Sequence, residues 1–283
     1  MIQQVLVEGV INGAIIALVA IGIALIWGVM NILNFAQGEF LMFGMYIAFF
    51  LNILLGFDPI FSVPICMIAL FGLGFCTYKT MIRRVLKGPI LSQRLLTFAL
   101  SMVLQNVALM AFGGQFKTVP NLMFSGTVNL GSVTISINKL IPFITCLLLA
   151  TALFLFINKT RTGKAIQATA LDKDAAALVG INVEKSYTLA FALSAAITGA
   201  AGCILTYYYY ISPGVGTTFQ LFAFIAVAMG GFGSIPGALL GGILMGLVDT
   251  GTGVVFSTAF KYLAVCAAYI LVVSLRPKGL FGR

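Results

Sequence analysis

Histidine is absent from the 283 residues of this chain, and only seven residues are acidic. General acid–base catalysis and metal binding rely mostly on histidine and carboxylate side chains. The sequence also lacks the G-x-x-x-x-G-K-[ST] loop that cradles the phosphates of ATP in many ATPases. We therefore predict a chain that is not an enzyme, has no catalytic residues, holds no metal and binds no cofactor of its own.

Charged residues of either sign are scarce. They make up 8% of the chain, against about 25% in a typical soluble domain. Hydrophobic residues make up 61%, and the mean hydropathy is +1.11, so lipid must surround most of the surface. The net charge of +9 does not indicate nucleic-acid binding, because the basic residues lie in short segments between apolar runs, as in cytoplasmic loops of membrane proteins.

Cysteine pairs with CxxC spacing are also missing. The five cysteines lie in apolar stretches, which is typical of small buried side chains rather than of a disulfide framework or a metal site. They are Cys66, Cys76, Cys146, Cys203 and Cys266.

Long apolar runs dominate what the sequence does contain. A helix needs about 20 apolar residues to cross a bilayer, and we predict an all-α polytopic membrane protein of about eight spans, folded as a single domain over residues 1–283. The predicted spans are Val5–Val29, Phe40–Phe57, Ile60–Tyr78, Leu95–Phe112, Leu140–Ile157, Tyr187–Ile211, the broken stretch Phe219–Val248, and Phe260–Leu275.

Basic residues orient these spans. Thirteen of the sixteen fall into two loops and the tail, which we assign to the cytoplasm. Parity then requires Phe219–Val248 to be two short helices, broken at Gly230–Gly237. The alternation of polar and β-branched residues in Gly113–Asn138 predicts a small external hairpin. The thirteen cytoplasmic residues are Lys79, Arg83, Arg84, Lys87, Arg94, Lys159, Arg161, Lys164, Lys173, Lys185, Arg276, Lys278 and Arg283.

Two interruptions of the apolar pattern are candidate parts of a solute pathway. Broken helices within a membrane survive where they are buried in protein or line a wet cavity, and their free backbone groups can bind a polar solute. The polar residues could instead cap a helix, and the glycines, like those of "GALLGGILMG", could serve close helix packing. The candidates are Asn31, Asn34, Gln37 and Glu39 at the first break, and Gly230, Gly231, Gly233 and Ser234 at the second.

Between two spans lies a polar, alanine-rich stretch, Lys164–Val179, with no glycine or proline. Alanine is the best helix former, so we predict one rod of sixteen residues, about 24 Å long, with Gly180 as its C-terminal cap. By composition alone, this helix either connects two spans or docks a partner.

Four motifs, in order along the chain, decide between these readings. They are "NFAQGEFLMFG" (Asn34–Gly44), "RTGKAIQATALDKDAAALVGIN" (Arg161–Asn182), "GGFGSIPGALLGG" (Gly230–Gly242) and "RPKGLFG" (Arg276–Gly282). Together they resemble the branched-chain amino acid permeases of bacterial ABC importers, of the leucine/isoleucine/valine uptake type, and the resemblance covers nearly the whole chain.

That resemblance implies a permease subunit in the bacterial plasma (inner) membrane, with the coupling loop and the C-terminus in the cytoplasm. The implied partners are a second permease subunit, identical or different, two cytoplasmic ATP-binding subunits that use ATP and Mg²⁺, and an extracellular or periplasmic solute-binding protein. The residues implied to couple transport to the ATPases are Gly163, Ala168, Asp172, Ala175 and Gly180.

The chain departs from the family pattern at three positions. Members usually carry a basic residue where Gln167 stands and an acidic one at Leu171, and many carry a lysine at Phe222. Similar permeases carry urea, short amides or simple sugars, so these solutes are alternatives to amino acids. A self-sufficient secondary transporter or channel is the alternative from another class, with Glu39 as its one plausible intramembrane ionisable residue.

Overall fold

The protein is described by a computed structural model that covers residues 2–86, 88–120, 122–124, 126–130, 133–256, 260–276 and 279–281. Within these residues the regular secondary structure is helical except for one two-stranded sheet, as the sequence predicts. The helices are α1 Ile2–Met30, α2 Gln37–Leu55, α3 Pro59–Thr77, α4 Arg83–Val85, α5 Ile90–Phe112, α6 Ile137–Lys159, α7 Arg161–Leu171, α8 Lys173–Leu178, α9 Val183–Leu205, α10 Val215–Gly230, α11 Ile235–Val255 and α12 Lys261–Leu275; the strands are β1 Thr127–Leu130 and β2 Val133–Ser136.

Seven helical segments in the described residues are long and apolar enough to cross a membrane, and α10 and α12 are shorter apolar helices. Each predicted span corresponds to one of these segments, and the broken stretch corresponds to α10 and α11. The prediction of a loop at the first group of basic residues is wrong in part. A π-helical turn, Tyr78–Ile82, joins α3 to α4, so Lys79, Arg83 and Arg84 lie on a helical extension. Lys87, Lys278 and Arg283 lie outside the described residues.

The predicted hairpin is present as antiparallel β1 and β2. It packs on the first turns of α1, where the Gln4 side chain donates to the Thr134 carbonyl at 2.8 Å and accepts from the Thr134 amide at 3.1 Å. Lys139 pairs with Glu8 nearby, at 3.2 Å. We call this side of the bundle the hairpin end, and the opposite side, which carries α7 and α8, the arm end.

Small residues allow the central helices to approach closely. A Cβ on Gly246 would overlap the backbone of Gly13, and one on Gly242 would overlap the backbone of Ala17. Helix α1 therefore lies directly against α11, without intervening side chains. The close-packing interpretation of "GALLGGILMG" is confirmed for these two glycines.

Burial divides the cysteines. Cys66, Cys146 and Cys203 are buried as predicted, but Cys76 and Cys266 are exposed on the outer surface of the bundle. That surface is apolar and faces lipid in a membrane protein, so a thiol there costs little. None of the five forms a disulfide.

The prediction of one continuous rod over Lys164–Val179 was wrong. Helix α7 ends at Leu171, Asp172 is extended (φ −154°, ψ 110°), and α8 begins at Lys173. The Asp172 carboxylate accepts from the backbone amides of Asp174 at 2.9 Å and Ala175 at 3.0 Å. Aspartate favours this capping role over a position inside a helix, so the segment bends into an elbow.

Candidate functional site

The first break follows Met30, the last residue of α1. Asn31 adopts a left-handed conformation (φ 56°), which asparagine tolerates better than most residues. The chain then folds back along α1, because the Gln37 side chain at the start of α2 lies against Gly22. Gly22 precedes Met30 by eight residues, about 12 Å of helix, so α2 begins well inside the bundle.

Three aromatic rings and a hydroxyl hold this returning segment. The Phe35 ring packs between Phe98 of α5 and Phe224 of α10, with centroids 6.2 Å and 5.2 Å away. Thr97 of α5 donates to the carbonyl of Leu33 at 3.1 Å. The break is thus buried in protein, which is the condition for irregular backbone at membrane depth.

Asn34 and Gln37 form the polar core of this break, and both are fully buried. The Asn34 amide donates to the Gln37 side-chain oxygen at 2.9 Å. The Gln37 amide donates to Ser194 Oγ at 2.8 Å and to Thr198 Oγ1. Because these donors and acceptors already have partners, the two side chains fix the geometry of the break.

Gln220 on α10 completes the network, and sequence reasoning missed it. Its side-chain oxygen accepts from the Gly38 amide, and its amide donates to the Asn34 carbonyl at 3.1 Å. One glutamine thus bridges the last turn of the break and the first turn of α2. A signal was available: Gln220 is the one long polar side chain in the otherwise apolar helix α10.

Glu39 lies in the first turn of α2, and it is 1% exposed. Ser101 of α5 donates to Glu39 Oε1 at 3.0 Å. The other oxygen, Oε2, has no hydrogen-bond partner among the described residues. Unlike Asn34 and Gln37, this side chain has unused capacity for a further contact.

The second break, between α10 and α11, is held mainly by backbone contacts. A Cβ on Gly230 would overlap the Gly237 carbonyl, so the two helix ends touch directly. Ser234 caps α11 by accepting from the Gly237 amide at 3.1 Å. The tail closes the other side, where Leu280 donates to the Met229 carbonyl and Phe281 to the Gly230 carbonyl, both at 2.9 Å. Gly231 lies against Gly279 of the same tail.

A cavity of about 720 Å³ connects this second break with the end of α1 and with α7. Its lining includes Asn31 from the first break, Gly233 and Ser234 from the second, and Gln167 from α7. Of the eight predicted pathway residues, Asn31, Gly233 and Ser234 share this cavity. Asn34, Gln37 and Glu39 lie deeper in the bundle, and Gly230 and Gly231 lie in the contact with the tail.

Helices α7 and α8, which we call the arm, carry the predicted coupling residues. Gly163 is buried, and a Cβ there would overlap the carbonyls of Phe156 and Ile157. Gly180 has φ 85°, and the Ile181 amide returns to the Ala176 carbonyl at 3.0 Å, so the predicted glycine cap is confirmed. Ala168 is half-buried, whereas Asp172 and Ala175 are exposed.

The arm also exposes large apolar side chains that sequence reasoning did not single out as a surface. Leu171 is 80% exposed, Leu178 89% and Val179 76%. They flank the elbow at Asp172, on a segment that is otherwise polar and alanine-rich. Several large apolar side chains exposed on one polar segment indicate an interaction surface.

A second cavity, of about 850 Å³, brings together basic residues from separate predicted cytoplasmic segments. Lys79, Arg83 and Arg84 line it from the extension of α3, and Lys173 lines it from the arm. Arg83 pairs with Glu184 at 2.8 Å. The structure thus places these segments at the same end of the bundle.

Among the three family departures, Gln167 lines the first cavity and donates to Asn158 at 2.8 Å. Leu171 is one of the exposed apolar side chains of the arm. Phe222 stacks on Tyr262 of α12, with ring centroids 5.7 Å apart. The first two departures therefore change the surface of the arm, and the third lies on the side of α10 that faces α12.

Residues 5–274 match the family described as the permease component of branched-chain amino acid transport systems. The permease protein BraD of a high-affinity branched-chain amino acid transport system in Pseudomonas aeruginosa is 34% identical over 99% of this chain and 95% of BraD. The corresponding LivH of Salmonella typhimurium is 32% identical over the same shares. The ribose import permease RbsC of Bacillus subtilis is 29% identical over only 48% of this chain and 44% of RbsC.

Proposed function

This chain belongs to the family of permease components of branched-chain amino acid transport systems, and from this premise we propose that it is the membrane-spanning permease subunit of an ATP-driven ABC importer. The importer moves branched-chain or related amino acids inward across the bacterial plasma membrane. The observation that carries the proposal is the similarity to BraD and LivH over nearly the full length of the chain.

The extent of similarity also ranks the alternative solutes. The likeness to a ribose permease spans less than half of this chain, whereas the likeness to branched-chain amino acid permeases spans 99% of it. A sugar is therefore the weaker candidate.

The arm is the part of the molecule that we assign to coupling. Two ATP-binding subunits, which use ATP and Mg²⁺, dock at the arm end, and Leu171, Leu178 and Val179 supply apolar contacts there. Gly163 lets α7 lie against the end of α6, and Asp172 and Gly180 fix the elbow and the end of α8. Ala168 and Ala175 leave room for close approach of the docked subunit.

The two breaks are the part that we assign to the solute pathway. Asn31, Gly233 and Ser234 line the cavity that α7 also lines, so a movement of the arm changes the shape of a cavity that both breaks line. Asn34, Gln37 and Glu39 form the deeper part, and Gly230 and Gly231 tie α10 to the tail. A second permease subunit completes the pathway, and a solute-binding protein delivers solute at the hairpin end.

Reconstitution tests this proposal. The chain is purified with the proposed second permease and ATP-binding subunits and inserted into proteoliposomes, and uptake of radiolabelled leucine is measured with the binding protein outside and ATP at the arm end. We expect uptake that requires ATP hydrolysis and the binding protein. Gradient-driven leucine uptake by the chain alone would instead establish a secondary transporter.

A further inference from the structure

Two buried polar atoms on one face of α2 lack a hydrogen-bond partner among the described residues: Glu39 Oε2 and Tyr46 Oη. Both side chains are 1% exposed. They are seven residues apart, so they lie on the same face of the helix, two turns from each other. Unsatisfied buried polar atoms are rare and require an explanation.

Helix α5 covers this face of α2. Ser101 donates to Glu39 Oε1 at 3.0 Å, and the Phe112 ring stacks on the Tyr46 ring with centroids 4.3 Å apart. Only 22% of the apolar window of α5 is buried, against 89% for α1 and α9. The two unpartnered atoms therefore lie under the least buried of the spans that the structure describes.

The inner face of α5 is itself polar. Thr97, Ser101 and Gln105 recur at every fourth position, which places them in one stripe along the helix. Thr97 faces the first break, and Ser101 faces Glu39. The side-chain nitrogen of Gln105 would lie 4.0 Å from a Cβ added to Gly214, just before α10. We call this stripe, together with Glu39 and Tyr46 of α2, the α5 seam.

Glu39 has no counter-ion in the seam. The described ion pairs are Arg83–Glu184, Lys139–Glu8 and Lys261–Asp249, so none involves Glu39. A carboxylate buried among apolar helices with one hydrogen bond is costly unless a cation or a proton neutralises it. Gly216 of α10 lies beside Oε2, because a Cβ added to Gly216 would be 3.0 Å from that oxygen. As a glycine, it offers no side chain that could neutralise the carboxylate.

We propose that the α5 seam forms part of the solute pathway and that Glu39 binds the ammonium group of a small zwitterionic or cationic solute there. Tyr46 Oη is the second polar contact, two turns closer to the hairpin end. This inference rests on the proposed function, which it deepens by naming the recognised group. It predicts solutes with a free amino group and excludes ribose and urea.

The first test compares Glu39→Gln and Glu39→Asp in the assembled, reconstituted complex. Glutamine keeps the shape but not the charge, so we expect leucine uptake to fall about tenfold or more, in line with the loss of a hydrogen bond to a charged group. Aspartate keeps the charge and retains more uptake than glutamine. The control is Glu8→Gln, which removes a carboxylate at the hairpin end that is paired with Lys139.

Outcomes of this test separate the two proposals. If wild-type complex takes up no leucine with ATP, the proposed function fails. If wild type transports and Glu39→Gln transports equally well, Glu39 is a neutral structural residue and the ammonium site is overturned, whereas the proposed function stands. Size-exclusion chromatography of each variant establishes that the complex has assembled.

A second measurement does not depend on the Glu39 variants folding. Gln105→Cys is introduced after Cys76 and Cys266, the exposed cysteines, have been changed to alanine, and the complex is treated with cationic and anionic methanethiosulfonates. We expect the cationic reagent to react several-fold faster at position 105, and leucine, but not N-acetylleucine, to slow it. The matched control is Asn106→Cys on the exposed face of α5. Equal cation preference at both positions, or equal protection by the two leucine compounds, overturns the ammonium site.

Discussion

The first break and the arm invert the usual distribution of side chains in opposite ways. At the first break, the amides of Asn34, Gln37 and Gln220 are buried among apolar helices. On the arm, Leu178 and Val179 are exposed on a polar segment. The buried amides have hydrogen-bond partners within the chain, whereas the leucine and valine are largely exposed. Buried polar groups that have partners stabilise the fold, and exposed apolar side chains on a polar segment mark a surface for another molecule.

The largest effect that would test this contrast is expected from Gln37→Leu. Leucine removes the donors to Ser194 and Thr198 and the acceptor of the Asn34 amide, and each buried group left without a partner costs about 1–3 kcal/mol. We expect the free energy of unfolding to fall by about 3 kcal/mol in total, seen as a lower melting temperature in detergent.

The matched control for this prediction is Gln167→Leu on α7, where the amide is exposed and donates only to Asn158. Exposed substitutions usually change stability by less than about 0.5 kcal/mol. Equal shifts in melting temperature for the two variants would contradict the structural role assigned to the buried amide.

The second-largest effect concerns docking at the arm, and we expect it to leave the stability of the chain unchanged. Leu178→Asp places a charge on a side chain that is 89% exposed, so the melting temperature of the isolated chain should hold. Docking of the ATP-binding subunits should weaken about tenfold, equivalent to about 1.4 kcal/mol, as measured by their recovery in co-purification.

Met123→Asp provides the comparison, since Met123 is 72% exposed but lies outside the arm, in the loop that precedes the hairpin. Recovery of the ATP-binding subunits with this variant should match wild type. A loss of recovery as large as that of Leu178→Asp would mean that exposed charge, rather than the arm, causes the defect.

The smallest effect is local to the elbow. Asp172→Ala removes the acceptor for two amides of α8, and loss of such a cap costs about 1 kcal/mol. Opening of α8 should rise about fivefold, and trypsin should cleave after Lys173 faster in the isolated chain. Asp172→Asn keeps an acceptor oxygen and should restore the wild-type cleavage rate; failure of this rescue would assign the effect to charge instead of capping.

Both breaks could be predicted from the sequence, since polar residues and glycines interrupt apolar runs there. The elbow could not, because alanine content favours one helix and Asp172 competes with it only through a local capping geometry. The role of Gln220 also escaped prediction. Its contact with Gly38 joins positions 182 residues apart, and the sequence contains no local pattern that reports such a pairing.

The sequence also could not show which predicted pathway residues line a cavity and which are buried, because this depends on contacts beyond the local pattern. Asn31 and Asn34 are three residues apart, yet Asn31 lines a cavity and Asn34 is sealed inside the bundle. The left-handed turn at Asn31 sends the chain back into the bundle, and a single reversal of this kind decides which side chains meet solvent. Local polarity therefore located the break but did not sort its residues.

The contact between the tail and α10 constrains the order of biosynthesis. The carbonyls of Met229 and Gly230 receive their donors from Leu280 and Phe281, about fifty residues later in the chain. Until those residues leave the ribosome, the carbonyls of Met229 and Gly230 lack these two donors. A ribosome-stalled chain that ends before Leu280 should therefore lack the contact between the tail and the end of α10.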